Sequence, residues 1–209
     1  MPTIDSILQH GKYLPVAEDF YTIQGEGFYS GKPAYFIRLG GCDIGCSWCD
    51  AKETWHPDLY PLTSIQDMGA RASAHPSKSV VITGGEPLRY PLLPLCDLLH
   101  HYGLKIFLET SGAYPLSGHF DWICLSPKKQ APPVDNIYLK ASELKVIVAN
   151  PSDFEWAEES RLKVGTNCLF YLQPEWSRAQ LIMPVIVDYV KANPQWSISL
   201  QIHKYMNIP

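Results

Sequence analysis

Six short apolar runs constrain this chain more than any other feature, because each ends in glycine or polar residues. They occupy residues 34–39, 79–83, 105–109, 122–125, 144–148 and 168–172 and are rich in β-branched and aromatic side chains. Runs this short, apolar at nearly every position, are predicted to be buried strands. Further strands at 20–23 and 196–201 flank the set. Residues 1–20 carry weak signals, and Pro2, Gly11 and Pro15 argue against a long first helix. Helices are predicted over 61–74, over 92–102, from an N-cap near Ser152, and over 178–192.

Strands alternating with helices predict an α/β fold with a mainly parallel sheet. In such folds the C-terminal ends of the strands form the rim where ligands bind. A complete eight-fold barrel typically needs ~250 residues, and several connections here are too short for a full helix. At 209 residues the expectation is a shortened, incomplete (β/α) barrel folded as one domain over residues 1–209.

The first rim ending holds Gly41-Cys42-Asp43-Ile44-Gly45-Cys46-Ser47-Trp48-Cys49-Asp50, with cysteines spaced C-x3-C-x2-C. A structural zinc site takes four protein ligands and usually draws its cysteines in C-x2-C pairs. Three thiolates on one loop suit three irons of a 4Fe–4S cubane and leave the fourth iron open. An open iron beside a strong reductant is what binding and cleaving a sulfonium cofactor requires. The flat Trp48 can shield such a cluster and border an adenine. This stretch resembles the motif of radical S-adenosylmethionine (SAM) enzymes; a zinc knuckle or three unrelated core cysteines are the alternatives.

Composition narrows the partners. A formal net charge of −4 gives no electrostatic case for nucleic acid. No run approaches the ~18 apolar residues of a membrane helix, and the N-terminus lacks the pattern of a secretory signal. Three of the six cysteines crowd one loop, which favours a reduced, cytoplasmic setting over disulfides. Cys96, Cys124 and Cys168 lie in apolar segments and read as small buried hydrophobes.

The other rim endings each allow a bland and a functional reading. Gln24-Gly25-Glu26-Gly27 is either a tight connection or a place where backbone approaches a ligand closely. Arg38, inside an apolar run, is expected to be ion-paired, often with a bound anion. Gly84-Gly85-Glu86-Pro87 is either a simple turn or the counterpart of the radical SAM GGE motif, whose glycine backbone and carboxylate hold the methionine amino group. Glu109-Thr110-Ser111-Gly112 and Ser126-Pro127-Lys128 are strand-to-loop transitions or contacts for the cofactor's ribose and carboxylate. Lys145 either joins them or snorkels to water.

Taken in order, the QGEG loop, Arg38, the cysteine loop, Thr83 with GGEP, Ser126-Pro127-Lys128, Gln173-Pro174 and the ending HKYMNIP resemble the 7-carboxy-7-deazaguanine synthase family. The resemblance runs from about Phe20 to the C-terminus, and the last seven residues are its most specific part. It implies a shortened radical SAM barrel, paired as a homodimer. It also implies conversion of 6-carboxy-5,6,7,8-tetrahydropterin to 7-carboxy-7-deazaguanine, with ring contraction and loss of ammonia, towards 7-deazapurines such as queuosine. The implied cofactors are a 4Fe–4S cluster, SAM and Mg²⁺, with electrons from a flavodoxin- or ferredoxin-type reductant.

By the same resemblance Cys42, Cys46 and Cys49 ligate the cluster. Trp48, Cys49, Asp50, Gly85, Glu86, Ser126, Pro127, Lys128, Gln173, Pro174, Glu175 and Trp176 serve SAM. Ile23, Gln24, Gly25, Glu26, Arg38, Thr83, His203 and the terminal Pro209 contact the pterin. The residue types suit these roles: Gln24 and Glu26 match adjacent N–H and C=O groups, and Arg38 matches a carboxylate. One departure stands out. The family pattern after the third cysteine is Cys-Asp-Thr, with the threonine hydroxyl on Mg²⁺, whereas this chain has Cys49-Asp50-Ala51.

Two other classes share parts of the pattern. A glycyl-radical-activating protein has the cysteine loop, but the QGEG loop and the HKYMNIP ending argue against it. An iron–sulfur electron carrier needs a fully ligated cluster, and no fourth cysteine lies close in sequence.

Overall fold

A computed structural model describes residues 10–209; the expectation for residues 1–9 lies outside them. The strands are β1 (Tyr13–Ile23), β2 (Pro33–Leu39), β3 (Leu62–Ser64), β4 (Ser79–Gly84), β5 (Lys105–Thr110), β6 (Trp122–Leu125), β7 (Glu143–Val148), β8 (Leu169–Pro174) and β9 (Trp196–Ile198). They form one nine-stranded sheet in the order β3-β1-β2-β4-β5-β6-β7-β8-β9. Neighbours from β2 through β4 to β9 run parallel, while β1 is antiparallel to both β2 and β3. β3 and β9 do not pair with each other, so hydrogen bonds leave the barrel open. This is the incomplete, mainly parallel barrel expected.

The helices are α1 (Ile65–Ser73), α2 (Leu93–His101), α3 (Asp135–Tyr138), α4 (Asp153–Arg161), α5 (Ala179–Ala192) and α6 (Ile202–Met206). Successive strand residues point to opposite faces, and each face has its own character. Ile37, Leu39, Ile82, Leu108, Leu144 and Val146 join the main core, each at most 1% exposed. Full burial of such side chains contributes roughly 1.5–3 kcal/mol apiece. The concave face is split along its length. Towards the strand N-termini, Ala34, Val81 and Phe107 pack with Tyr29, Phe36 and Trp122. Towards the C-termini the same face turns polar, with Arg38, Thr83, Glu109, Lys145 and Gln173.

Several boundaries differ from expectation for identifiable reasons. β1 begins at Tyr13 and accommodates Pro15, which pairs with Leu62 of the short edge strand β3. A bulge between Val16 and Glu18 re-aims β1, so that Val16 faces the core while Glu18 and Phe20 face the concave side. That same β3 replaces the first part of the helix expected from residue 61. The helix α1 starts later, where the Ser64 hydroxyl accepts from the Asp67 N–H at 3.1 Å. Ser152 sits at the N-cap of α4 but caps nothing with its side chain. Asp153 instead accepts from the Ala149 and Asn150 N–H groups at 2.8 and 3.0 Å. The last strand stops at Ile198, and the chain turns into α6.

All six cysteines are free, and Cys96, Cys124 and Cys168 are buried as expected. Among the described residues no helix is long and apolar enough to cross a membrane.

Candidate active site

A cavity of about 420 Å³ opens at the C-terminal ends of the strands, a volume ordinary for small-molecule sites. It is lined by Cys42, Cys46 and Cys49 and by Trp48, Asp50, Gly85, Glu86, Ser126, Lys128, Gln173, Pro174, Glu175 and Trp176. Ile23, Gln24, Gly25, Glu26, Arg38, Thr83, His203 and Pro209 line it as well. Pro127 is the exception: it is buried in its turn between Ser126 and Lys128, and the cavity does not reach it.

The cysteine loop is held by backbone and by its neighbours. The N–H groups of Gly41 and Cys42 donate to the carbonyls of Thr54 and Trp55 at 2.6 and 3.1 Å. The Tyr114 hydroxyl bonds Asp43 in the same loop, and the Gln130 amide donates to Cys46 Sγ at 3.0 Å. Gly85 presses on this loop so closely that a Cβ there would lie 2.3 Å from the Gly41 oxygen and 3.0 Å from Cys42 Cβ. Burial raises the thiol pKa of Cys42 and Cys46, and coordination to a metal would favour the thiolates instead. Three thiols on one loop, converging on one cavity with no fourth ligand from the loop, fit a site-open iron–sulfur cluster.

Glu86 lines the cavity but is strongly tied to its neighbours. Its carboxylate is 1% exposed. One oxygen accepts from the Leu88 N–H at 3.0 Å and the Thr110 hydroxyl at 2.6 Å. The other accepts from the Ser111 N–H at 2.8 Å and the Ser111 hydroxyl at 2.5 Å. All four acceptor positions are engaged. These bonds tie the end of β4 to the end of β5.

Across the cavity, Arg38 Nε meets Glu18 Oε1 at 2.7 Å, the ion pair expected for an arginine in an apolar strand. Lys128 Nζ donates to the Ser126 carbonyl and hydroxyl, both at 2.6 Å, and lies 5.5 Å from the centre of the Trp48 ring. Burial lowers its pKa. Gln173 Oε1 accepts from the Ser199 hydroxyl at 2.7 Å. Glu175 accepts from Ser177 and so caps a short turn.

Sequence reasoning left Lys145 ambiguous and passed over Gln201 and Lys204. Lys145 does not snorkel: its side chain is 4% exposed, and Nζ bridges Glu26 Oε2 at 2.6 Å and Glu109 Oε2 at 2.9 Å. Burial alone would raise the Glu26 carboxyl. The Lys145 charge and hydrogen bond, with the amides of Gln201 and Gln173, outweigh it and bring the pKa down to about 2. Burial works against the Lys145 ammonium, yet Glu109, Glu26 and Glu143 keep its pKa well above the usual lysine value. Deeper in the barrel, burial and Glu109 push the Glu143 carboxyl up.

The C-terminal segment completes the wall. The Ile202 N–H donates to the Gly25 carbonyl at 3.0 Å. Gln201 Nε2 reaches Glu26 Oε1 at 2.8 Å and Asp50 Oδ2 at 3.1 Å. His203 lies so close to Gly25 that a Cβ there would sit 2.1 Å from Nδ1. Burial lowers the pKa of this imidazole. The only sequence signal for Gln201 and Lys204 was their place beside and within the HKYMNIP ending.

No family model matches the chain. A 7-carboxy-7-deazaguanine synthase of Flavobacterium psychrophilum is 50% identical over 206 residues, covering 99% of this chain and 98% of the relative. The chain belongs to the 7-carboxy-7-deazaguanine synthase family. A family member from Synechocystis is 47% identical over 194 residues and covers 93% of both chains. The Escherichia coli K12 enzyme is 34% identical over 221 residues, covering 93% of this chain and 98% of that one. A crystal structure of QueE from Escherichia coli superposes with a TM-score of 0.81 at 30% identity, covering 96% of this chain and 99% of that one. Nothing among these relatives supports a glycyl-radical activase or an electron carrier.

Proposed function

We propose that this chain converts 6-carboxy-5,6,7,8-tetrahydropterin to 7-carboxy-7-deazaguanine, with loss of ammonia, as one folded unit in the cytoplasm. The carrying observation is that the three loop cysteines and the residues suited to a pterin line one cavity. Cys42, Cys46 and Cys49 would hold the 4Fe–4S cluster. Trp48, Ser126, Lys128 and the stretch from Gln173 to Trp176 would hold SAM, with the Lys128 ammonium suited to its carboxylate. When bound, the cluster and SAM supply a one-electron reduction and the removal of hydrogen from C6.

The rest falls to the chain's own groups. Gln24 and Glu26 present an amide and an ionised carboxylate to the pyrimidine edge of the pterin. Arg38 has its Nε on Glu18, and its terminal nitrogens are left for the substrate's carboxylate. His203, with its lowered pKa, offers one ring donor and one acceptor at neutral pH. Phe36 lines the cavity and packs with the apolar cluster of Phe107 and Trp122.

Mg²⁺ fits this chain less well. Ala51 has no side-chain oxygen, and the Asp50 carboxylate is already met by Gln201 and Lys204. No step is assigned to the ion. By family resemblance, a flavodoxin- or ferredoxin-type protein would supply the electron, and two copies of the chain would pair as a homodimer.

The test is anaerobic incubation of the cluster-loaded protein with SAM, a reductant and the carboxytetrahydropterin. Deazaguanine absorbance should appear with the native protein and be absent with Cys42→Ala, which should also fail to load iron. Absence of product from the loaded native protein, or full turnover by Cys42→Ala, refutes the reading.

A further inference from the structure

Lys145 is buried in β7 and closes a ring of polar contacts inside the barrel. Its Nζ meets Glu26 Oε2 at 2.6 Å and Glu109 Oε2 at 2.9 Å. Gln24 Nε2 donates to the other Glu109 oxygen at 3.3 Å, and Gln24 Oε1 accepts from the Glu26 N–H at 3.1 Å. Both carboxylates line the cavity. Removing an ammonium from water is costly, and packed apolar residues often stabilise such a position at least as well. A charge kept there points to a need beyond folding.

We infer that Lys145 is a positioning residue for pterin recognition, fixing Glu26 and Glu109 as a matched pair of acceptors aimed into the cavity. The inference rests on the pterin reading above and deepens it. A tetrahydropterin carries several N–H donors and a 2-amino group, so it wants acceptors at set positions. An ionised carboxylate has about four acceptor sites. Glu26 uses one on Lys145, one on Gln201 and one on Gln173, and the remaining one is left for the ligand. A protonated carboxyl would instead present an O–H donor to an N–H donor.

The surroundings explain why Lys145 decides this. Glu26 is faced by Lys145 from β7, Glu109 from β5, Gln173 from β8, Asp50 from the cysteine loop, and Gln201 and His203 from the C-terminal segment. Lys145 in turn faces Cys124, Glu143 and Lys128. Without Lys145, Glu26, Glu109 and Glu143 would crowd one low-dielectric space, with Lys128 the remaining lysine beside them. Crowded carboxylates retain a proton to higher pH. The ligating atoms of Glu109, Cys124 and Glu143 lie within 4.8 Å of one another, but the Lys145 ammonium on Glu109 already supplies the positive charge there.

The test measures the Kd of the carboxytetrahydropterin on cluster-loaded, SAM-bound protein, kept unreduced, at pH 6 and pH 8. The native protein keeps Glu26 ionised at both, so its ratio of Kd values is the reference. Lys145→Met should weaken binding more at pH 6 than at pH 8, enlarging the ratio by about tenfold for each unit that the carboxyl pKa rises into this range. SAM affinity should stay within about threefold, and Lys145→Arg should bring the ratio back towards the native one. If Lys145→Met does not fold, Lys145→Met/Glu109→Gln removes one charge of each sign and should show the same pH-dependent loss at Glu26. A native ratio in whichever of these two variants folds overturns the inference. Failure of the native protein to bind the pterin at either pH overturns the pterin reading instead.

Discussion

The Lys204 ammonium rests 2.7 Å from Asp50 Oδ2, joining the C-terminal helix to the residue that follows the third cysteine. The same ammonium lies 4.6 Å from the centre of the Trp176 ring, and Tyr205 meets that ring edge-on at 5.6 Å. The cysteine loop and the turn at Trp176, distant in sequence, therefore meet at one short helix.

That contact bears on the metal. Mg²⁺ demands near-octahedral oxygen ligands and keeps waters readily, and here neighbouring positive charge competes with it. Mg²⁺ binding without substrate should be weak, and turnover should change little on chelation. Ala51→Thr should strengthen the dependence on Mg²⁺. Titrating activity against Mg²⁺ for both proteins decides it, and tight Mg²⁺ binding by the native protein through Asp50 or Glu53 would sink the expectation.

Gly25→Ala should loosen the C-terminal helix. The added methyl would overlap the His203 ring, and relieving such overpacking typically costs about 1–3 kcal/mol. The pterin Kd should rise on the order of tenfold while the cluster still loads. An unchanged Kd would show that His203 has room to move.

Arg38→Lys keeps the charge but loses the planar fork. Pterin affinity is expected to fall on the order of tenfold, equivalent to ~1.4 kcal/mol, with SAM binding retained. Calorimetry of each ligand separately checks this; a loss of SAM binding would make Arg38 structural.

Pro209 lines the cavity, so a tag joined after it would put further peptide at the site. A C-terminal extension should weaken pterin binding at least about tenfold (~1.4 kcal/mol), whereas an N-terminal one should not. Equal Kd values for the two versions would show that the tail plays no part.

Acid stability should carry the mark of Glu26. Its folded pKa of about 2 lies below the ordinary glutamate value of 4.5. The stability it contributes is therefore fully present above the unfolded pKa and is lost as pH falls through the folded one. Denaturant midpoints between pH 4.5 and 2 should fall less steeply for Glu26→Gln than for the native chain. Parallel slopes would mean that Glu26 is not held ionised.

Legibility differed by element. The strand runs at 79–83 and 105–109 were readable because residues pointing to the helices are apolar, and those pointing inward at the strand N-termini, Val81 and Phe107, are apolar too. β1 was not readable from Tyr13, since a proline and a bulge break its alternation, and only pairing with β2 and β3 holds it extended. α6 is five residues long, below what an isolated helix sustains in water; it exists because Gly25, Glu26 and Asp50 receive it.

The amino-acid sequence by itself determined the α/β alternation, the cysteine loop and the family, because spacing and residue type carry those signals locally. Which carboxylate is free to meet a ligand was decided only by the tertiary structure. Glu86 and Glu26 look alike in sequence, each following a glycine in a strand-end loop. Folding surrounds Glu86 with donors from Leu88, Thr110 and Ser111. It sets Glu26 against a buried lysine from a strand 119 residues away. A carboxylate's role depends on the donors and charges that reach it, and those come from parts of the chain that meet only on folding.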